Sequence, residues 1–441
     1  MAAVCGRGGR IASGESAPTL AWGPRTNNAS RLVPRCYGHP RHERQRLASK
    51  GSALSTERRT AHALRALSLA YFTMGTASIA VVGLVNEMAA DLAVSKPAIA
   101  MLVTVFALTF ALAAPFVQIA AGRLPRRSLL LAGLCVLSAG CLVTALMPDY
   151  AWVVAARLLM AIGACAVGPV ASSLGASLVP PERQGHALAV VFGGMTLATV
   201  LGVPFSTWLG TAVGWRWVFV VLAATAALTA ATIATLVRQR SPAPPVTLAS
   251  FAQVLRHRAA RWGVAMALFH MAAQMSMYAL VTPYLQERFA IPGHWLSATF
   301  LAAGLSSVAG NLIAGRLVDR LGTVRTIVLT YAGFACVFVA LALAPGLPWF
   351  GVAGFACWSL TGIAFYAPQQ KRLIALAPQL GGLLLALNAS AIYVGMSLGS
   401  AAAGQAYERV GPAALPFVAL AFLAAASLAF LRSHRAAGRA G

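Results

Sequence analysis

Residues 295–344 read WLSATFLAAGLSSVAGNLIAGRLVDRLGTVRTIVLTYAGFACVFVALALA. Two apolar runs, 295–316 and 325–344, meet at a short turn where Arg316, Asp319, Arg320 and Arg325 gather. Each run has about 20 residues, the length at which a helix crosses a hydrocarbon core of about 30 Å. Hydrocarbon offers the backbone no partners, so such a run closes its own hydrogen bonds as a helix. The same alternation of long apolar run and short basic turn extends in both directions. It yields twelve apolar blocks between residues 64 and 432. The expected fold class is an all-α polytopic membrane protein with twelve transmembrane helices.

Composition agrees. Of 441 residues, 59% are hydrophobic and 10% charged, against about 25% charged in a soluble domain. The mean hydropathy is +0.74. A formal charge of +24 would indicate nucleic acid in a soluble protein. Here the basic residues sit in the N-terminal segment and in turns between apolar blocks, so the lipid bilayer is the expected partner and nucleic acid is not. Five of the seven cysteines lie inside apolar blocks. No CxxC or Cys/His spacing is present, so they read as small buried residues and no metal or cofactor is expected. No nucleophile–base pair or phosphate loop marks an enzyme.

The longest polar connection after the N-terminus is 238–261, which divides the blocks six and six. The expected organisation is a basic, irregular tail over 1–63, a six-helix bundle over 64–237, a central loop over 238–261, a second bundle over 262–432 and a short tail over 433–441. The tail lacks the apolar core and cleavage site of a signal peptide. With both ends on one side of the membrane, that side holds 29 Lys and Arg and the other holds 4. The positive side is cytoplasmic, so both termini are expected in the cytoplasm. The two halves also repeat weakly. Arg123-Leu124 follows block two, and Arg320-Leu321 follows block eight. Duplicated six-helix units are common in secondary transporters, which bind substrate where the repeats meet.

The sharpest motif is the turn itself: Gly315-Arg316-Leu317-Val318-Asp319-Arg320-Leu321-Gly322-Thr323-Val324-Arg325. Its glycines permit a tight turn, and Asp319 can pair with neighbouring cations or a helix N-terminus. Here the chain resembles the major facilitator superfamily, whose signature G-x-x-x-D-R-x-G-x-x-R follows helices two and eight. The resemblance covers roughly 64–432 and implies two six-helix bundles with alternating access. It also implies a conformational latch at Gly315, Arg316, Asp319, Arg320, Gly322 and Arg325. The first-half copy has Gln118, Gly122 and Pro125 at the first Gly, Asp and second Gly positions. Arg123, Arg126 and Arg127 keep that loop basic.

In block four, Arg157 matches the family's helix-four Arg, which the resemblance ties to proton coupling; Ala161 stands where the family has Gly. An Arg at a helix centre costs roughly 2.5–3.5 kcal/mol on insertion scales and so faces a polar interior. Near a helix end it snorkels instead, and Tyr150 is close enough to keep that reading open. Block five carries Gly194, Gly202, Pro204 and Gly210. This resembles the antiporter motif of twelve-helix bacterial drug:proton antiporters, the chloramphenicol-resistance and sugar-efflux subgroup, although Val203 separates the Gly and Pro. Helix gating is the implied role, and packing by small residues is the plain one.

Block seven places His270, Gln274 and Tyr278 at four-residue steps on one face, with Met271 and Met275 beside them. A polar stripe with soft Met neighbours suits a cavity for amphiphilic ligands; interhelical hydrogen bonding accounts for it equally. Asn311, Asn388 and Tyr393 are further cavity candidates. Beyond the tail the acids are Glu87, Asp91, Asp149, Glu182, Glu287, Asp319 and Glu408, none at the centre of a block. Proton coupling therefore falls to Arg157, Glu87 or His270, the last because imidazole titrates near neutrality.

The expected function is export of small organic compounds (a drug, sugar or related metabolite) across the inner membrane by proton antiport. An uncoupled facilitator of the same fold is the alternative, and a non-transporting membrane receptor is a third reading.

Overall fold

The computed structural model describes residues 40–121, 124–237, 257–377 and 381–438. All regular secondary structure among them is helical. The chain divides into a short N-terminal unit, of which residues 40–54 are described and helical, and a body, Ser55–Gly441. The sequence led us to expect an irregular chain over 40–63, but this stretch is helical. Arg, Lys, Leu, Ala and Glu dominate it, all good helix formers, and no proline follows Pro40. Residues 1–39, most of the central loop and Arg123 lie outside the described residues.

Among the described residues the body holds twelve spans, the bent pair taken as one: α1 (Arg58–Asp91), α2 (Lys96–Val117), α3 (Arg126–Leu146), α4 (Tyr150–Ser177), α5 (Gln184–Ala212), α6 (Trp215–Leu236), α7 (Arg258–Tyr278 with Val281–Phe289), α8 (Gly293–Leu321), α9 (Thr323–Leu343), α10 (Pro348–Leu376), α11 (Leu383–Val410) and α12 (Pro412–Ala437). Eleven are single helices long and apolar enough to cross a membrane; α7 is a pair bent by 51°. The turn between α8 and α9 is made at Gly322, whose φ of +79° suits glycine best.

Packing follows the two halves. In the first, α3 packs on α4 and α6, and α2 on α4. In the second, α7 packs on α11 and α12, and α8 and α9 both pack on α10. Two pairs make the most extensive junctions between the halves, α2 with α11 and α5 with α8, and α1 also touches α7. These pairs exchange under the repeat, since helix two corresponds to eight and five to eleven. The first helix of each half also breaks near the same point. A 3-10 turn, Ala80–Leu84, interrupts α1, and α7 bends between Tyr278 and Val281. The breaks meet where Thr282 Oγ1 donates to the Val82 carbonyl at 2.7 Å.

Small residues set the helix spacing. On α5, a Cβ at Gly194, Gly202 or Gly210 would strike Ser68, Thr76 or Leu84 of α1. Both series advance by eight residues, so the two helices run side by side in the same direction. On α11, a Cβ at Gly395 or Gly399 would strike the carbonyls of Leu268 and Ala272 on α7. Lipid tails are as apolar as leucine, so close backbone approach and dispersion, rather than hydrophobic exclusion, hold such pairs. Large apolar side chains such as Leu112, Phe116, Leu146, Leu228 and Trp349 are exposed, as suits a surface solvated by lipid.

A candidate transport cavity between the halves

A cavity of about 320 Å³ lies halfway along the spans. Its walls come from α1 and α5 of the first half and from α7, α8, α10 and α11 of the second. Six aromatic residues face it: Tyr278, Phe300, Phe355, Trp358, Tyr366 and Tyr393. Met195, Met271, Met275 and Met396 fill between them. None of its described lining residues is an acid, a base or a histidine.

The α5 contribution depends on a local irregularity. Residues Ala198–Gly202 form a π turn inside the helix. Pro204 has no N–H to offer the preceding turn and its ring crowds the backbone there, which widens the turn. That stretch carries Thr199 into the cavity wall and sets Val200 against Gly304 of α8. A Cβ on Gly304 would lie 2.7 Å from Val200 Cα. Ser297 Oγ donates to the Pro204 carbonyl at 2.8 Å, a further tie between the halves.

Above the cavity, at the end away from the termini, the halves are bonded together. Lys96 Nζ and Glu287 Oε1 form an ion pair at 2.5 Å, and Tyr407 donates to the same oxygen at 2.6 Å. Asn86 donates to Gln286, and Ser400 Oγ donates to the Ala100 carbonyl at 2.9 Å. Midway, Phe110 of α2 stacks on Tyr393 of α11 with centroids 3.7 Å apart. At the terminus-bearing end, Arg126, Arg127 and Asp319 bond inside their own half. Arg126 donates to the Ser173 carbonyl at 3.3 Å and Arg127 to the Ala234 carbonyl at 2.6 Å. Asp319 faces Lys371 at 3.9 Å, both well exposed.

Of the expected cavity residues, Gln274, Tyr278 and Tyr393 line it. His270 is absent from the lining and fully buried. Its ring stacks on Phe365 at 3.9 Å, with Tyr331 and Phe334 alongside. Its Nε2 lies 3.1 Å from the Gly362 carbonyl oxygen, which makes that nitrogen the donor. Nδ1 has no partner among the described residues. Asn388 is buried away from the lining, and Asn311 is exposed one turn beyond Ser307. The aromatic wall from α8 and α10 escaped sequence reading. Phe355, Trp358, Ser359 and Tyr366 recur at helical spacing, but that spacing looks the same in a helix facing lipid.

Arg157 does not snorkel. It is fully buried inside the first half, where Nη1 donates to the Ala77 carbonyl at 2.8 Å. The guanidinium lies 5.4 Å from the Phe219 ring centroid. Nε and Nη2 have no partner among the described residues, and no described carboxylate pairs with it. Ala77 precedes the 3-10 turn in α1, so the cation sits just before the point where that turn interrupts the helix. Glu87 is half-buried beyond the break, with Oε2 unpartnered among the described residues. The residues expected to form the latch, Gly315, Arg316, Asp319, Arg320, Gly322 and Arg325, lie at and beside the α8–α9 turn. Among the described residues no three His, Cys, Asp or Glu side chains gather as a metal would need.

The family model described as Major Facilitator Superfamily matches residues 67–400. The chain is 28% identical over 358 residues to an uncharacterised MFS-type transporter, YbcL, of Bacillus subtilis, covering 80% of this chain and 90% of that one. It is 32% identical over 262 residues to a chloramphenicol resistance protein of Streptomyces lividans, covering 58% of this chain and 66% of the relative. Its fold matches the crystal structure of a bacterial homologue of the human lysosomal transporter Spinster, in an inward-facing and unoccupied conformation. The TM-score is 0.66 at 15% identity, over 86% of this chain and 97% of that one. With the family model matching residues 67–400, this multi-pass membrane chain belongs to the Major Facilitator Superfamily.

Proposed function

We propose that this transporter exports small organic compounds (a drug, sugar or related metabolite) from the cytoplasm across the inner membrane by alternating access, in exchange for protons. The observation that carries the reading is the asymmetry around the cavity. Hydrogen bonds and an ion pair join the halves at one end. At the other end charged groups bond within each half. On this reading the excess of Lys and Arg puts the terminus-bearing end in the cytoplasm, and the joined end is the outer one. The similarity to a chloramphenicol resistance protein supports export.

Arg157, Glu87 and His270 are the proposed proton-coupling groups. Arg157 is favoured by its burial without a described counter-ion, beside the 3-10 turn of α1. A buried cation without a counter-ion is strongly disfavoured, so nearby changes in charge or hydration shift its energy. Such a shift is what coupling to a rearrangement at that turn requires. The glycine face of α5 (Gly194, Gly202, Gly210) and Pro204 serve as the gating surface. Asp319 with the arginines of its turn, and Arg123, Arg126 and Arg127 in the first half, form the cytoplasmic latch.

The uncoupled facilitator is the second reading, and one observation favours it: among the described residues no carboxylate lines the cavity. Purified protein in liposomes with an imposed pH gradient and an internal pH dye separates the two. Substrate-triggered proton movement establishes antiport. Substrate flux that ignores the gradient establishes the facilitator.

A further inference from the structure

We propose that the groove between α9 and α10 holds one acyl chain of an anionic phospholipid, whose phosphate pairs with Arg288 at the groove's head.

The groove has a volume of about 350 Å³. One wall runs from Cys336 to Ala344 and the other from Phe350 to Cys357, all apolar residues apart from the two thiols. Cys336, Ala340, Ala353 and Cys357 are exposed, so the groove opens on the outer surface of the second half. The cavity between the halves is lined by other residues of α10, among them Phe355 and Trp358. An apolar space stays dry, and what lies against it in a bilayer is hydrocarbon. From Cys336 to Ala344 a helix rises about 12 Å. Each leaflet supplies about half of the roughly 30 Å core, so the groove matches most of one leaflet. A chain that enters from the end away from the termini lies along its full length.

A cation stands at that end. Arg288 Nη2 donates at 2.7 Å to the carbonyl of Ala344, where the α9 wall stops. A Cβ on Gly346, in the α9–α10 turn, would lie 3.4 Å from Arg288 Nη1, so the guanidinium rests on that turn. At the same end Lys96 and Arg216 each pair with a carboxylate, Glu287 and Asp91. Arg288 has no carboxylate among the described residues, and adjacent Glu287 is engaged by Lys96 and Tyr407. Arg288 is half-buried, and none of its nitrogens is among the buried atoms that lack a partner. Its free donors are therefore reachable from outside. A guanidinium offers five N–H groups and pairs with phosphate through two of them at once. Trp295 and Trp349 meet edge to face beside the groove's head, with centroids 5.6 Å apart, and both are exposed. Tryptophan collects at the level of lipid headgroups, which puts Arg288 at the depth of the phosphates. The apolar groove, its length and the cation at its head together describe a phospholipid of the leaflet opposite the termini.

The test uses the full chain in phosphatidylcholine vesicles that carry a trace of phosphatidylglycerol or phosphatidylcholine with a diazirine midway along one chain. Light makes the diazirine insert into the side chain beside it, and peptide mapping locates the adducts. Leu142, exposed at the same end of α3, reports lipid that merely surrounds the protein. We expect the yield over 336–357 to exceed that at Leu142. Relative to Leu142 it should be up to about fivefold higher for phosphatidylglycerol than for phosphatidylcholine, the range for one cation near a lipid surface. Arg288→Gln should abolish that preference and Arg288→Lys should keep it, which separates charge from a disturbed turn. Ala353→Phe fills the groove from its exposed side and should lower the yield of both lipids to the Leu142 level. A groove yield no higher than at Leu142 overturns the proposal. So does a preference for phosphatidylglycerol that survives Arg288→Gln. A dimeric chain without groove adducts also overturns it and assigns the groove to a second copy.

Discussion

Substituting Gly194 with alanine places one methyl group against the backbone of α1. The new Cβ would overlap the Ser68 carbonyl oxygen and lie 2.9 Å from Phe72 N. Neither atom can move without moving the helix, so α1 and α5 must separate or tilt. Overpacking of this kind costs about 1–3 kcal/mol, and an obstacle made of backbone puts Gly194→Ala at the upper end. At Gly202 the obstacle is Thr76 Oγ1, and at Gly210 it is Leu84 Cδ2. Both belong to side chains that can rotate, so those variants should cost about 1 kcal/mol or less. Gly193 has nothing within 4 Å of its would-be Cβ, and alanine there should be neutral or stabilising by about 0.5–1 kcal/mol through helix propensity. The assay is the unfolding midpoint of each purified variant in one detergent. The expected order of stability is Gly193→Ala, then Gly202→Ala and Gly210→Ala, with Gly194→Ala lowest. Adding Thr76→Ala should recover part of the Gly202→Ala loss, because it removes the obstructing oxygen, which has no partner among the described residues. It should recover nothing for Gly194→Ala. A Gly194→Ala variant as stable as Gly202→Ala refutes the argument that backbone contact sets the α1–α5 spacing.

Three further outcomes follow from the same geometry. Arg157→Ala should lower transport driven by a pH gradient, while Arg157→Met should fold at least as well as the native chain because it removes an unpaired buried charge; unchanged coupled transport in either variant dismisses the coupling role. Glu287→Gln removes the charge facing Lys96 across the half-exposed contact between the halves. It should favour opening there by about 0.2–1 kcal/mol, read as up to about fivefold faster maleimide labelling of a Thr282→Cys reporter; labelling at the native rate shows the ion pair is idle. Asp319→Asn should leave stability unchanged, since its contact with Lys371 is long and exposed, yet slow turnover; turnover at the native rate takes Asp319 out of the latch.

The transmembrane spans were legible in the sequence because the bilayer imposes a length and forbids unpaired backbone. The basic turn at Gly315–Arg325 was legible because charge and glycine are rare in such a chain, so their clustering stands out. Residue-by-residue roles were less so. His270 was grouped with Gln274 and Tyr278 by four-residue steps. Yet four residues advance about 40° beyond a full turn at 3.6 residues per turn, so His270 and Tyr278 differ by about 80°. That rotation takes His270 behind the wall, onto Phe365.

What the sequence determined by itself was the number of crossings, the positive side and the family resemblance, all properties of one segment at a time. What only the tertiary structure decided was which apolar face meets a partner, which meets lipid and which encloses the cavity. In water, burial makes one face of a helix apolar and the other polar, so orientation is written in the pattern. In a bilayer both faces are apolar. Phe355 and Trp358 on the cavity wall therefore read no differently from Leu112 and Phe116 on the exposed surface. Only the close approach of neighbouring helices, at contacts such as Gly194 on Ser68 and Gly304 on Val200, tells them apart.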